Sequence, residues 1–272
     1  MENICLTEIN GFIFRKNRIC PYFAINKNKS MLKRFLPLLI FVIFCSAAHA
    51  QVSKAKQHYN TGIQLRNNNQ FPEALAEFSK AIEFNKNFDS AYVEIGNIQS
   101  KSGSMDMAMN SYNKALAINS KYSDALFGIA KIYRDAIKKY DSAIYFFSAA
   151  AKLDSTNKEI FYGLAWVYNA TKEHDQAIPY AIKALEIDNN YKPAYGELGY
   201  AYRSTKRFAD CIEQFKKNLA VSVIDVAYLY SGYSYIELKN KEGAMQQYEA
   251  LKKINERMAG ALLKKIEAMP AD

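Results

Sequence analysis

Beyond residue 50 the chain carries few side chains that could do nucleophilic, acid–base or metal chemistry. Histidine occurs there twice, as His58 and His174, and cysteine occurs once, as Cys211. A protein zinc site takes several Cys, His or carboxylate ligands at close spacing. These three residues form no such ligand-spaced cluster, so we predict no metal site and no cofactor.

The candidate catalytic groups also lack partners in the sequence. His174 lies between acidic neighbours in the predicted turn 172–175 and is interpreted as solvated. Asp124 and Asp135 are interpreted as exposed helix surface. Cys211 occupies a small-residue position between predicted helices, where a buried thiol is inert. An enzyme needs acid, base or nucleophile groups converging in one pocket, and we therefore expect a non-enzymatic protein.

The positive charge of the chain is concentrated near its start. The formal net charge is +9, of which residues 1–50 contribute +5, from seven basic and two acidic side chains. The rest carries only +4 and has no run of five or more basic residues. Nucleic-acid binding is therefore not predicted. With one cysteine in this part, an intrachain disulfide is excluded there.

Residues 31–50 have the features of a secretory signal peptide. A basic start at 31–34 precedes the apolar run 35–45, and the small-residue pattern at 46–50 predicts cleavage after Ala50. We expect a periplasmic or secreted protein that meets the membrane only transiently. Eleven apolar residues are short of the roughly 20 that span a bilayer, although a retained anchor is the competing interpretation. Residues 1–30 show no periodicity, and we interpret them as a non-native or disordered extension upstream of a start at Met31.

A repeat of about 34 residues organises the remainder of the chain. Small residues recur at spacings of 34, 35, 34, 34 and 33, namely Ala74, Ala108, Ala143, Ala177, Cys211 and Ala244. A second small-residue set lies about twelve positions upstream, namely Gly62, Gly96, Ala130, Ala165, Gly199 and Gly232. Two phased sets that recur six times indicate a stacked repeat architecture.

Each unit is predicted to be two helices. In the first, Phe71, Ala74 and Phe78 lie on one helical face. Residues 55–66 are also helical in pattern, and the polar segment 67–70 supplies the turn between them. Mid-helix glycine is unfavourable, so we attribute the four glycines of the upstream set to close approach of the paired helix.

These features resemble the tetratricopeptide repeat, whose pattern is clearest around Leu198-Gly199 and Tyr202. The resemblance implies an all-α, right-handed α-solenoid of six helix-turn-helix hairpins over 51–256, with a capping helix and tail over 257–272. The predicted units are 55–88, 89–122, 123–157, 158–191, 192–224 and 225–256. The capping helix is expected to bury one apolar stripe, formed by Ile254, Met258, Ala261, Leu262 and Ile266.

The sequence departs from the family pattern in two ways. The proline that usually ends each unit is replaced by Lys86, Ser120, Ser155 and Asn189, so Asn, Asp and Ser turns are expected to stop the helices. The third unit also has one extra residue near 137–139, and the fifth is one residue short.

The resemblance further implies a concave groove lined by positions 2, 5, 6, 9, 12 and 13 of each unit. Position 9 is Lys131, Trp166, Tyr200 and Tyr233 in units three to six, which predicts an aromatic stripe. The same register places five more candidate binding residues beside it, namely Arg134, Tyr162, Arg203, Tyr230 and Glu237.

The implied function is binding of a protein or peptide partner. Aromatic and arginine side chains are common interface anchors. Binding of glycan or cell-wall material by the aromatic stripe is the alternative, and a third interpretation is that the rings of a tyrosine-rich chain pack on one another. Tyr59 and Ile63 occupy positions where chaperone-binding relatives use Lys and Asn, so that activity is not expected. The sequence names neither the partner nor an oligomeric state.

Overall fold

The computed structural model describes residues 51–220 and 224–270, together with Pro37. The predicted extension at 1–30 and the predicted signal peptide, apart from Pro37, lie outside the described residues. The chain divides into two units, Met1–Ser53 and Lys54–Asp272. Within the described residues, no helix combines the length and the apolar character needed to cross a bilayer.

Residues 51–270, as far as the structure describes them, form helices joined by short turns and contain no strand; all but the first three belong to the second unit. In chain order the helices are 51–67 (α1), Phe71–Phe84 (α2), Asp89–Lys101 (α3), Met105–Ile118 (α4), Ser123–Ile132 (α5), Tyr140–Leu153 (α6), Lys158–Ala170 (α7), His174–Ile187 (α8), Lys192–Ser204 (α9), Phe208–Leu219 (α10), Asp225–Glu237 (α11), Lys241–Lys252 (α12) and Glu256–Glu267 (α13). They pair as six hairpins, each with an odd-numbered first helix and an even-numbered second helix, followed by α13. The predicted all-α hairpin architecture is confirmed.

Stacking of the hairpins brings their first helices together. Helix α7 contacts α9, α9 contacts α11, and α11 contacts α13. Repeat proteins bury their apolar faces in this way, against the neighbouring unit rather than around one central core.

Small residues and rings fill the spaces between helices. The predicted 34-residue set is fully buried, namely Ala74, Ala108, Ala143, Ala177, Cys211 and Ala244. In five of the six units, an aromatic residue lies four positions after the small residue. Phe78, Phe147 and Phe215 are fully buried, whereas Ala181 takes this place in unit four. The spacing therefore correctly identified the seam of each hairpin.

The first two glycines of the upstream set have the role that the sequence predicts. A Cβ on Gly62 would lie 2.6 Å from the ring of Phe78, and one on Gly96 would lie 2.7 Å from the ring of Tyr112. Both rings belong to the paired second helix. Glycine is required there because the ring occupies the volume of the missing methyl group.

The later two glycines face a different neighbour, and here the prediction is wrong. A Cβ on Gly199 would lie 2.4 Å from the ring of Tyr230 on α11, and one on Gly232 would lie 2.6 Å from Leu262 on α13. In both cases the close approach is to the next first helix or to α13 rather than to the paired helix. Large side chains inserted between successive first helices cause this change.

Two kinds of turn join the helices. Within the hairpins, one residue of each turn adopts the left-handed conformation, namely Asn69, Gly103, Lys138, Lys172, Lys206 and Lys239. Between hairpins, a side-chain oxygen accepts a hydrogen bond from the backbone N–H two residues later, at Asn85, Asn119, Asp154 and Asp188. These Asx turns end the second helices where the family uses proline, as expected.

The extra residue of the third unit is absorbed by a π-helical turn. Residues Tyr133–Ile137 form this turn directly after α5, and the N–H of Lys139 donates to the carbonyl of Tyr133 at 3.0 Å. Such turns hold one more residue than an α-helical turn and often occur near functional sites. Arg134 lies within it.

Helix α13 buries an apolar stripe that differs partly from the predicted one. Leu262 and Ile266 are buried as expected, together with Ala259. Ile254 and Ala261 are exposed. Ile254 precedes the helix, and Ala261 lies off the face on which Ala259, Leu262 and Ile266 recur at helical spacing.

Gly163 offers a test of the ring-to-backbone packing. A Cβ there would lie 2.6 Å from the fully buried ring of Phe147, which has no free space to retreat into. We expect Gly163→Ala to lower the free energy of unfolding by about 1–3 kcal/mol. Gly260→Ala is the control, because nothing lies within 4 Å of its Cβ position, and it should raise stability by up to about 1 kcal/mol. Denaturant unfolding followed by circular dichroism measures both, and equal effects would contradict this packing.

Candidate functional site

Two pockets lie along the row formed by α7, α9, α11 and α13. The first, the aromatic pocket, has a volume of about 470 Å³ and is lined by Trp166, Asn169, Ala170, Lys172, Gly196, Glu197, Tyr200 and Tyr230. The second, the C-terminal pocket, has a volume of about 180 Å³ and is lined by Arg203, Tyr233, Ile236, Glu237, Lys265 and Ala268. Six of the nine predicted binding residues line one or other of them.

Glu197 places a carboxylate in the aromatic pocket. Its Oε2 atom accepts a hydrogen bond of 2.8 Å from the amide of the buried Asn169, which also donates to the Glu197 carbonyl at 3.0 Å. Burial raises the pKa of Glu197 above its ordinary value, although this hydrogen bond and the positive charge of Arg134 oppose the shift. Within the described part of the chain, Glu197 forms no ion pair.

His174 takes part in the same arrangement, and its predicted solvated position is wrong. It is the first residue of α8 and is half-buried. Its Nδ1 atom lies 3.0 Å from Oδ1 of Asn169, and its ring meets that of Tyr200 edge-on at 5.3 Å. Asn169 therefore links α7 to both α8 and α9, and His174 supports Tyr200 at the pocket wall.

The rings of the aromatic pocket come from three successive first helices. Trp166 stands on α7, Tyr200 on α9 and Tyr230 on α11. Tyr230 packs against the bare backbone of Gly199, and its burial raises the pKa of its hydroxyl. Tyr200 is 47% exposed. Tyr230 thus forms a wall of the pocket that is fixed by packing, whereas Tyr200 forms a wall that faces solvent.

Arg134 forms a separate cluster beside this pocket. Its guanidinium lies 5.5 Å from the ring centroid of Trp166 and 5.9 Å from that of Tyr162. It also makes two hydrogen bonds to the Asp135 carboxylate, at 2.6 and 2.9 Å, and its side chain is only 13% exposed. Arg134 is therefore a packed, charge-neutralised side chain. Lys131 lies over Phe127 at 5.3 Å and lines neither pocket.

In the C-terminal pocket, two positively charged side chains lie near the ring of Tyr233. The Arg203 guanidinium lies 5.0 Å and the Lys265 ammonium 5.7 Å from the centroid of Tyr233. Nε of Arg203 is buried and has no hydrogen-bond partner among the described residues. Glu237 lines the same pocket and is exposed.

The structure divides the predicted aromatic stripe and adds residues that sequence reasoning missed. Trp166 and Tyr200 share one pocket, whereas Tyr233 belongs to the other. Asn169 and Glu197 were missed although they occupy positions 12 and 6 of their units, which the groove register includes. The predicted set already includes four charged residues of that register, and nothing in the spacing distinguishes Asn169 and Glu197 from its remaining polar positions. Lys265 was missed because it lies in the cap, outside the repeats.

The remaining reactive groups lie elsewhere. Cys211 is fully buried, and burial raises the pKa of its thiol to about 11, as suits an inert packing residue. Among the described residues, no three His, Cys, Asp or Glu side chains are grouped so that they could hold a metal ion.

Family models and solved structures agree on the kind of repeat. Models described as tetratricopeptide repeat match residues 89–122 and 158–191, and a further one matches 226–255. The crystal structure of YrrB, a TPR protein with an unusual peptide-binding site, is similar over 69% of this chain and 97% of its own, with 25% identity and a TM-score of 0.57. The chain is a tetratricopeptide repeat (TPR) protein.

Two further solved structures are more distant in sequence and show the TPR fold alone. PilF of Pseudomonas aeruginosa is 16% identical, with a TM-score of 0.63, over 79% of this chain and 99% of its own. A tetratricopeptide repeat protein from Parabacteroides merdae is 15% identical, with a TM-score of 0.54, over 81% and 94%. No curated protein matches this TPR chain.

The half-buried carboxylate of Glu197 predicts a particular dependence of the stability of this TPR protein on pH. Because the pKa of Glu197 is raised in the folded chain, the folded state holds the proton more readily than the unfolded one. The stability contributed by this group is therefore lost as the pH rises through the carboxyl range. We expect Glu197→Gln, which keeps an oxygen for Asn169, to be more stable than the parent at neutral pH, with a gain that shrinks towards pH about 4.

Thermal unfolding across that pH range is the measurement. Glu186→Gln is the control, because Glu186 is exposed on α8 and lines neither pocket. A Glu197→Gln variant that is less stable than the parent at neutral pH would show that the ionised carboxylate stabilises the fold.

Proposed function

We propose that this TPR protein is a non-enzymatic scaffold or adaptor that binds a peptide segment of another protein outside the cytoplasm. The observation that carries the proposal is the row of two pockets on α7, α9, α11 and α13. Successive pockets on parallel first helices suit an extended chain that places separate side chains into each. The peptide-binding site of YrrB, a similar TPR protein, supports the same kind of ligand.

The composition of the pockets also supports a protein ligand. Trp, Tyr and Arg are the residues that most often dominate binding energy at protein interfaces, and the two pockets contain Trp166, Tyr200, Tyr230, Tyr233 and Arg203. Carboxylate and ammonium groups beside these rings provide charge selectivity. Each pocket therefore combines apolar area with a group that could fix the orientation of a ligand.

Contacts on the rings argue against the glycan alternative. A sugar ring stacks on an open aromatic face. Tyr233 instead has the Arg203 guanidinium and the Lys265 ammonium over its ring, and Trp166 has the Arg134 guanidinium over its own. Of the three rings of the stripe, only Tyr200 is exposed, and its exposed fraction is 47%. The stripe thus offers less flat surface than the sequence pattern suggested, and we favour the peptide function.

Tyr200 provides the test of peptide binding. Selection of phage-displayed random peptides on the purified protein should enrich sequences whose affinity falls about tenfold or more in Tyr200→Ala, because an exposed ring at the pocket wall is removed. Tyr145→Ala is the matched control. Tyr145 is 68% exposed and lines neither pocket, so this change should leave affinity intact. Failure to enrich any peptide, or equal losses in the two variants, would overturn the proposal.

The location outside the cytoplasm rests on the signal-like segment 31–50 and has its own test. We expect the mature protein to begin at Gln51, because cleavage should follow Ala50. Amino-terminal sequencing of protein recovered from the extracytoplasmic fraction measures this. A mature protein that still carries residues 31–50 would instead indicate a retained anchor, and recovery only from the cytoplasm would contradict export.

A further inference from the structure

Glu197 is an acidic group that the described residues leave without a cationic partner. Its Oε2 atom is held by Asn169, but its Oε1 atom accepts no hydrogen bond from any described residue. The nearby carboxylate of Asp135, in contrast, is paired with Arg134. A half-buried, unpaired carboxylate costs stability unless a ligand supplies the opposite charge.

The walls around this carboxylate suit a long side chain. Trp166, Tyr200 and Tyr230 line the same pocket and surround Glu197 with aromatic surface. Lysine and arginine bury their methylene stems against apolar surface while the charged end seeks a polar partner. A volume of about 470 Å³ has room for such a side chain together with the adjoining peptide backbone.

Other positive charges near the pocket do not satisfy Glu197. Arg134 acts on Glu197 through its charge alone and makes its hydrogen bonds to Asp135. Lys172 also lines the pocket, but it is exposed and forms no ion pair with Glu197. Water and salt screen the charge of an exposed ammonium, so Lys172 compensates the half-buried carboxylate of Glu197 only weakly.

We infer that the aromatic pocket receives one basic side chain, lysine or arginine, of the bound peptide, with Glu197 as its counter-ion and Trp166, Tyr200 and Tyr230 packed around its stem. This assignment rests on the proposed peptide-binding function and gives it a charge preference. Asn169 acts as a positioning residue, because its amide holds one carboxylate oxygen and leaves the other for the ligand.

The pocket contains its own reporter, because Trp166 is the single tryptophan of the chain. The full chain labelled with 5-fluorotryptophan gives one ¹⁹F NMR signal, which is titrated with short capped alanine-based peptides that carry a central Lys, Arg, Gln or Glu. We expect saturable shifts with the Lys and Arg peptides, and affinities at least about tenfold weaker for the Gln and Glu peptides.

Variants assign the effect to Glu197. Glu197→Gln keeps the size of the side chain and an acceptor for Asn169, and it should lower the affinity for the Lys and Arg peptides about tenfold or more. Glu186→Gln removes an exposed carboxylate from outside both pockets and should leave the affinity unchanged. Circular dichroism of each variant confirms that the fold is retained.

The outcomes separate this inference from the proposed function. Phage-selected peptides that bind in a Tyr200-dependent manner, yet tolerate Gln in place of every Lys and Arg, would overturn the inference and leave peptide binding in place. Equal affinity of the parent and Glu197→Gln for the Lys peptide would also overturn it. If no selected peptide and no model peptide binds, both the inference and the proposed function are wrong.

Discussion

The array depends on large side chains that pack against backbone where no Cβ can fit. Phe78, Phe147 and Tyr230 each lie so close to a helical glycine that an added methyl group would overlap the ring. In such close packing every atom of the ring gains dispersion contacts, and the overlap that a shorter distance would cause limits how closely the two helices can approach. These contacts hold the two helices of a hairpin together at Gly62, and they hold neighbouring hairpins together at Gly163 and Gly199.

This packing also builds the candidate site. In the early hairpins, the ring that meets a glycine comes from the paired second helix, as Phe78 does at Gly62. At Gly199 the ring comes from the next first helix instead, and it is Tyr230. The change brings a tyrosine to the row of first helices, where it becomes a wall of the aromatic pocket. A ring from the next first helix, in place of one from the paired helix, thus serves both as a packing contact and as a wall of the candidate site.

The polar groups of the candidate site include two that lack a full set of partners among the described residues. Asn169 is buried and fully committed to holding His174 and Glu197 in place. Glu197 itself remains half-buried, with a raised pKa and no cationic partner among the described residues. Arg203 similarly keeps a buried Nε without a partner in the part of the chain that the structure describes. Unsatisfied groups of this kind are costly in a fold and are typical of sites that a ligand completes.

The sequence by itself determined the repeat, its period and the residues of each hairpin seam. Small residues at 34-residue spacing and apolar residues at helical spacing leave few alternatives, because both patterns arise from contacts within one unit or with the next. It also located the extra residue of unit three, which the structure resolves as the π-helical turn that contains Arg134.

Only the tertiary structure decided how the candidate residues are grouped. Register placed Trp166, Tyr200 and Tyr233 in one line, yet Tyr233 belongs with Arg203 and Lys265 in a second pocket. Neither the link from His174 through Asn169 to Glu197 nor the direction in which Gly199 is approached could be derived from spacing. These contacts join different hairpins, and they depend on side-chain rotamers and on the distances between stacked helices, which a one-dimensional period does not specify.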